Sequence, residues 1–146
     1  MMDLPTLPDR MVLALTVYGE ARGEPVEGQI AVACVVRNRL HAAPAGTTWR
    51  ALCLAPEQFS CFNADDPNAA TIQRAAVALM TTQPPPALAQ ALWIADGVMS
   101  GVVLDPTHGA THYLVTSLLQ SEHAPSWAVH QPILVTIGAQ SFLKVA

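Results

Sequence analysis

Glu20 is the residue best placed to move a proton. It stands where an uncharged run, Met11 to Val17, gives way to Tyr18-Gly19-Glu20-Ala21-Arg22-Gly23-Glu24-Pro25. Leu13, Thr16 and Val17 precede Glu20 by seven, four and three residues, which puts them on its side of a helix. A carboxyl held against such a face loses water. Desolvation disfavours its charged form and lifts its pKa toward the range of a general acid. Gly19, with no side chain, predicts room for a bulky substrate to approach the backbone. The competing reading is a solvated helix-terminal Glu, or one paired with Arg22. Glu24 and Glu27 are the candidates for a second acid, but both have a sufficient reason to stand at a helix start, where carboxylates favour the dipole.

Other reactive side chains carry weaker patterns. His108 and His112 are four apart, and His123 and His130 follow. With Glu122 they would suit a zinc-dependent hydrolase, yet His108 precedes Gly109 in a turn, which argues against ligation from one helix face. Neither C-x-x-C nor H-E-x-x-H occurs, so no metal and no other cofactor is expected. Cys53 and Cys61 flank a short loop and are read either as a disulfide or as a reduced pair. Cys34 sits among Val32, Val35 and Val36 and reads as a small core residue.

The elements that must position these groups are mostly helices. Asp9 suits the cap of a first helix ending near Glu20. Pro25 suits the first position of a second helix running to about Leu40, and Ile30 to Val36 is apolar on every face, as in a buried central helix. Gly28 within it predicts close packing of another element. Thr48 starts a short helix to Leu54, and Pro56 to Phe62 is irregular or extended. Further helices cover about 68–80 and 87–100, separated by Pro84-Pro85-Pro86. Thr111 to Val115 reads as a strand, and Ile133 to Ile137 with Ser141 to Val145 reads as a hairpin turning at Gly138-Ala139-Gln140. The expected fold is therefore α+β, mostly helical, with a small antiparallel sheet.

At 146 residues the chain is expected to form a single domain, with its core over about 9–145. It is 51% hydrophobic and only 12% charged, which predicts ordered globular structure, with disorder confined to the first few residues and the stretch Gln83 to Pro86. A net charge of -4, with seven basic residues scattered singly, provides no stripe for a phosphate backbone, so nucleic acid is not expected as a partner. No apolar run reaches the roughly 18 residues of a membrane span, so no membrane insertion is expected. Met11 to Val17 is short for a signal-peptide core, and cleavage after it would cut Glu20 from its helix. The expected protein is made in the cytoplasm without a recognisable signal peptide.

Four segments, in order, carry a resemblance: Tyr18 to Glu24; Glu27 to Ala33 with Val36-Arg37-Asn38-Arg39; Pro56-Glu57-Gln58-Phe59-Ser60; and Asp105 to Tyr113. Together they resemble the SleB-type cell wall hydrolase family, named for bacterial spore-cortex-lytic enzymes and also found among phage lysis proteins. The likeness spans about Met11 to Phe142, essentially the whole domain, and so implies a single catalytic domain with no separate wall-binding module. It implies a lysozyme-like cleft that binds peptidoglycan glycan strands and cleaves between N-acetylmuramic acid and N-acetylglucosamine. The family's catalytic Glu maps onto Glu20. As a lytic transglycosylase, that one Glu protonates the glycosidic oxygen and then accepts the proton of the muramic acid's own 6-hydroxyl, closing a 1,6-anhydro ring.

Gln58, Phe59 and Ser60 would offer hydrogen bonds and apolar surface to N-acetyl groups, although Phe59 also suits plain core. Tyr18 and Tyr113 would bring hydroxyls to the reacting sugar, with Thr111 beside them in the Gly109-Ala110-Thr111-His112-Tyr113 segment. Alternation along a strand allows only one of His112 and Tyr113 into the cleft, and Tyr113 is the expected one. Trp127 would stack on a sugar ring or else anchor the core.

The chain departs from the family after Ile137-Gly138, where a His and a Phe-Tyr pair are usual and Gln140-Ser141-Phe142-Leu143 stands instead. A hydrolytic muramidase using the same Glu, or an inactive glycan-binding domain, are the alternatives. The missing signal suggests a phage or prophage endolysin that reaches the wall or periplasm through a holin or another export factor.

Overall fold

The computed structural model describes residues 2–56, 58–81 and 83–145. Glu57, in the segment read as irregular, lies outside them. Helix α1 (Asp9–Ala21) runs through the middle of a helical layer and touches α2 (Val26–Ala42), α3 (Trp49–Leu54), α4 (Ala69–Leu79) and α5 (Pro86–Met99). Its unbroken apolar run explains that place: Val12 to Val17 are wholly buried, so every face needs a neighbour. The same holds for α2, where Ala31 to Val36 are sealed from solvent. Gly28 does not mark the close packing its sequence position predicts: a Cβ there would meet Ile137 Cγ2 of the sheet at an ordinary 3.7 Å, and its nearest neighbour would be Glu24 Cβ of the preceding turn at 3.3 Å. No helix among the described residues is long and apolar enough to cross a membrane.

Two helix starts differ from the sequence reading. Asp9 is the first residue of α1 rather than its cap; Pro8 takes the boundary, where a fixed φ and a missing N–H cost nothing. The Asp9 carboxylate instead accepts from the backbone N–H of Arg50 at 3.3 Å, tying the start of α3 to α1. Pro25 stands one residue before α2 rather than inside it. Thr48 does cap α3, its hydroxyl accepting from the Ala51 N–H at 3.0 Å.

The sheet is antiparallel, with β1 (His112–Val115), β2 (Ile133–Ile137) and β3 (Gln140–Leu143) in the order β1-β3-β2. The hairpin turn is tighter than the sequence reading. Gly138 has φ 57°, Gln140 already pairs with Ile137, and β3 ends at Leu143 rather than Val145. A Cβ at Gly138 would come within 2.8 Å of Glu24 Oε1 and 2.9 Å of Pro25 Cδ, so a glycine is needed for space as well as for backbone. Short helices α6 (Thr116–Leu119) and α7 (Ser126–Val129) connect β1 to β2. Four residues carry little more than one turn of periodicity, so the sequence pattern does not reveal them. The result is a mostly helical α+β fold with a three-stranded antiparallel sheet.

Candidate active site

The last turn of α1 delivers Glu20 into a hollow of about 390 Å³. Arg39 enters from the end of α2, Gln58, Phe59 and Ser60 from the segment after α3, His112 and Tyr113 from β1, and Trp127 from α7. Leu13, Thr16 and Val17 are all sealed behind Glu20, as their spacing predicts. The carboxyl itself is half-buried. Desolvation raises its pKa, and the nearby Asp66 carboxylate adds to the rise. The backbone amides of Ser60 and Cys61 and the Arg39 cation pull the other way without cancelling it. A carboxyl in this setting keeps its proton to higher pH than a free one, and the amides and Arg39 still stabilise the anion left after donating it.

Arg22 is not the partner of Glu20. Its guanidinium donates to the Asn68 side-chain oxygen at 2.7 Å and to the Tyr18 carbonyl at 3.2 Å, and lies over the Tyr18 ring. Glu24 accepts from the Ala139 N–H at 3.0 Å, clamping the β2–β3 turn to the start of α2, and Glu27 is exposed. Neither candidate second acid lines the hollow. Among the described residues that do, Glu20 is the one carboxylate.

Gly19 does something other than admit substrate. A Cβ built there would stand 2.7 Å from both Cβ and Sγ of Cys61 and 2.8 Å from Ile72 Cδ1. Its missing side chain lets the Ser60–Phe62 turn press against α1, and that turn carries the amides that face Glu20.

Phe59 satisfies both of its sequence readings: it is 3% exposed, within the helical core, and one face closes the hollow beneath Arg39, whose Cζ is 5.2 Å from the ring centroid. Arg39 donates through Nε to the Thr111 carbonyl and through Nη1 to Gln58 Oε1 at 3.4 Å. Desolvation lowers its pKa, but an arginine remains charged at any ordinary pH. Sequence reasoning missed Arg39 as a site residue. The available signal was a cation closing an otherwise apolar helix, which needs polar company at that end.

Tyr113 packs against Phe142, ring centroids 5.8 Å apart. Burial and the neighbouring Glu20 keep its phenol well above the usual range, so it stays a hydrogen-bond donor. His112 lines the same hollow, contrary to the strand alternation. The reason is that β1 is an edge strand, and the hollow wraps over its open edge toward Trp127 rather than lying on one sheet face. Trp127 is 39% exposed, and its ring sits 5.2 Å from that of His112.

Two expected substrate contacts lie elsewhere. Tyr18 lines a separate surface hollow with Arg74, Pro85 and Leu88, because residues two apart on a helix point to opposite sides. Thr111 turns its hydroxyl to the C-terminal segment, accepting from the Val145 N–H at 3.0 Å.

The Asp105–Tyr113 segment acts as a brace. Asp105 accepts from the Thr107 N–H at 2.7 Å and hydroxyl at 2.6 Å, from the Asn38 amide at 2.9 Å, and from the Gly109 N–H at 3.1 Å. These bonds hold His108 and Gly109 at φ 59° and 90° and aim β1 at the hollow. Burial pushes the Asp105 carboxyl up, and the hydrogen bonds more than offset it, leaving it below its ordinary value. Its contribution to folding is therefore complete at neutral pH and disappears as pH falls below about 4, through the folded-state value. Urea midpoints measured between pH 3 and 6 should fall at the acid end, and Asp105→Asn should remove part of that fall.

Cys34, Cys53 and Cys61 are free and buried. Desolvation pushes the Cys34 and Cys53 thiols up to about 11, and Cys61 higher still, so all three stay protonated. Among the described residues no group of three His, Cys, Asp or Glu side chains is placed to hold a metal. His123 stands 3.7 Å from Glu122 on an exposed loop. At the divergent C-terminal strand, Gln140, Ser141, Phe142 and Leu143 are all buried, and none lines the Glu20 hollow, although Phe142 packs behind Tyr113.

Comparison with known proteins bears on the family and the fold. A 52-residue segment is 48% identical to the spore cortex-lytic enzyme of Oceanobacillus iheyensis, covering 36% of this chain and 19% of that protein. A 34-residue segment is 62% identical to the spore cortex-lytic enzyme of Bacillus subtilis, covering 23% of this chain and 11% of that protein. The matched segments thus amount to a fifth or less of those proteins' own length. The catalytic domain of the Bacillus cereus SleB protein superposes with a TM-score of 0.64 at 29% identity, over 93% of this chain and 89% of that one. The catalytic domain of the germination-specific lytic transglycosylase SleB from Bacillus anthracis gives the same TM-score and identity over 93% of each chain. Residues 23–143 match the family described as Cell Wall Hydrolase, and the chain belongs to that family, in its SleB type.

Proposed function

We propose that this chain is a single catalytic unit that cleaves peptidoglycan glycan strands as a lytic transglycosylase, with Glu20 as its one acid–base residue. The observation that carries the reading is Glu20 itself, desolvated at the base of a sugar-sized hollow with a pKa raised above that of a free carboxyl. Protonated Glu20 gives its proton to the oxygen between N-acetylmuramic acid and N-acetylglucosamine as the C1–O bond breaks. Its carboxylate then takes the proton of the muramic 6-hydroxyl, whose oxygen bonds to C1 and closes the 1,6-anhydro ring. The amides of Ser60 and Cys61 and the Arg39 cation stabilise the carboxylate between the two steps.

A paired-carboxylate glycosidase places its second acid about 5–9.5 Å from the first. Asp66 is near enough to raise the Glu20 pKa but does not line the hollow, and no described lining residue other than Glu20 is a carboxylate, which favours an intramolecular nucleophile over an activated water. The altered C-terminal residues lie in the core rather than in the hollow, which counts against an inactive binding domain. The test is mass spectrometry of the muropeptides released from purified walls. The transglycosylase yields 1,6-anhydromuramic ends. Reducing ends would assign a hydrolytic muramidase working through the same Glu20, and no soluble product from several wall types would reject both. In a phage or prophage setting, this enzyme would act as an endolysin delivered to the wall through a holin lesion; lysis on co-expression with a holin, and none without it, is the corresponding check.

A further inference from the structure

His112 enters the hollow with one ring nitrogen engaged and the other free. Its Nδ1 lies 2.9 Å from Thr111 Oγ1. That hydroxyl already accepts from the Val145 N–H at 3.0 Å, and the other acceptor it can reach, the Val145 carbonyl, is at 3.5 Å. A hydroxyl has one proton to give. At 3.5 Å the carbonyl is a poor acceptor, so the arrangement that makes best use of the hydroxyl proton has Thr111 donating to Nδ1, with Nδ1 as the unprotonated nitrogen. Burial and the nearby Arg39 cation keep the ring neutral, which is consistent with this arrangement.

The remaining proton then sits on Nε2, at the opposite edge of the ring from Thr111. Among the described residues Nε2 has no hydrogen-bond partner, and Gln140 Oε1 is the one buried side-chain polar atom left unpaired. Nε2 is therefore open rather than sealed, on a ring that lines the Glu20 hollow and is backed by Trp127 at 5.2 Å. A fixed N–H donor beside an aromatic plate suits an uncharged acceptor attached to an apolar ring face. The carbonyl oxygen of an N-acetylated sugar fits both requirements.

We infer that Thr111 locks His112 as its Nε2–H tautomer, and that His112 with Trp127 forms a subsite for the N-acetyl carbonyl of a sugar next to the bond being cleaved. His112 touches the substrate; Thr111 is a positioning residue that acts through it. The inference rests on the glycan-cleaving reading of the Glu20 hollow and adds the group that recognises the acetamido function.

Long-range 1H–15N spectra of the folded chain report the tautomer directly. They should show a pyrrole-like Nε2 and a pyridine-like Nδ1 for His112, and Nε2 should shift when N-acetylglucosamine oligosaccharides are added but not when the de-acetylated oligosaccharides are. The Nδ1–H form, or equal shifts with both sugars, would overturn the inference. His112→Phe keeps the packing on Trp127 but removes the donor, and should raise KM about tenfold, the scale of one lost hydrogen bond, with a smaller change in kcat. His112→Gln retains a donor and should recover much of that loss; equal defects in the two variants would leave only packing and refute the donor. Thr111→Val should mix the tautomers and raise KM, and Thr111→Ser should restore both. If the wild-type chain releases nothing from any wall, the reading of Glu20 fails, while the tautomer and the sugar titration still decide this inference.

Discussion

Replacing Glu20 by Gln is expected to lower glycan release about a thousandfold, within the range for losing a general acid. Gln keeps the shape and can still hydrogen-bond, but it has no proton to transfer and cannot become the base of the second step. The wild-type rate should fall as pH rises through the Glu20 value, since only the protonated form starts the reaction, and that limb should lie above the ordinary Glu value of about 4.3. Any activity left in Glu20→Gln should lack the limb. Folding separates loss of chemistry from loss of structure. Because burial raises the Glu20 pKa, its ionisation costs stability as pH rises, so Glu20→Gln should be at least as stable as the wild type at neutral pH. Muropeptide release over a pH series, with thermal melts on the same samples, measures both. Full activity in Glu20→Gln would end the assignment.

Gly19→Ala is expected to lower stability by about 2 kcal/mol, and activity with it. Helix propensity alone favours the change, since Ala exceeds Gly by about 1 kcal/mol inside a helix. Packing decides the sign. The new methyl would overlap Cys61 Cβ and Sγ and Ile72 Cδ1, all within 2.8 Å. Overpacking of this kind costs about 1–3 kcal/mol, and a Cβ close to backbone cannot swing away as the tip of a long side chain would. Relief must come from moving the Ser60–Phe62 turn off α1. That shift carries the Ser60 and Cys61 amides away from Glu20, so muropeptide release should fall even at temperatures where the variant is folded. Urea melts and an assay well below the melting point check the two effects. A variant as active and stable as the wild type would show that the turn yields at no cost.

Helices α1 to α5 were legible because each has a one-dimensional signature, which the four-residue α6 and α7 lack. The uncharged runs of α1 and α2 must be buried on all sides, and Pro25, Pro56 and Pro84 to Pro86 punctuate them wherever they fall in space. Glu20 was legible for a related reason: its apolar neighbours three, four and seven residues back belong to the same helix, so local geometry alone places them behind it. The motif strings added the family, and with it the reaction proposed for that position.

Other assignments went astray where neighbours in space are distant in sequence. Tyr18 sits in the same motif as Glu20 but two residues away, and the turn of the helix sends it to another face. Gly19 reads as an opening for substrate until Cys61, forty-two residues later, fills the space. Glu24 reads as a helix-start charge until the hairpin brings the Ala139 N–H to it.

What this sequence determines unaided is the set of buried helices, the small sheet and the desolvated carboxyl proposed as the proton donor, since burial pattern and helical spacing are properties of the chain itself. Only the tertiary structure decides which groups surround that donor. Arg39, the Ser60–Cys61 amides and the His112–Trp127 pair come from four separate segments, and no periodicity along a chain encodes the distance between segments that meet only after folding.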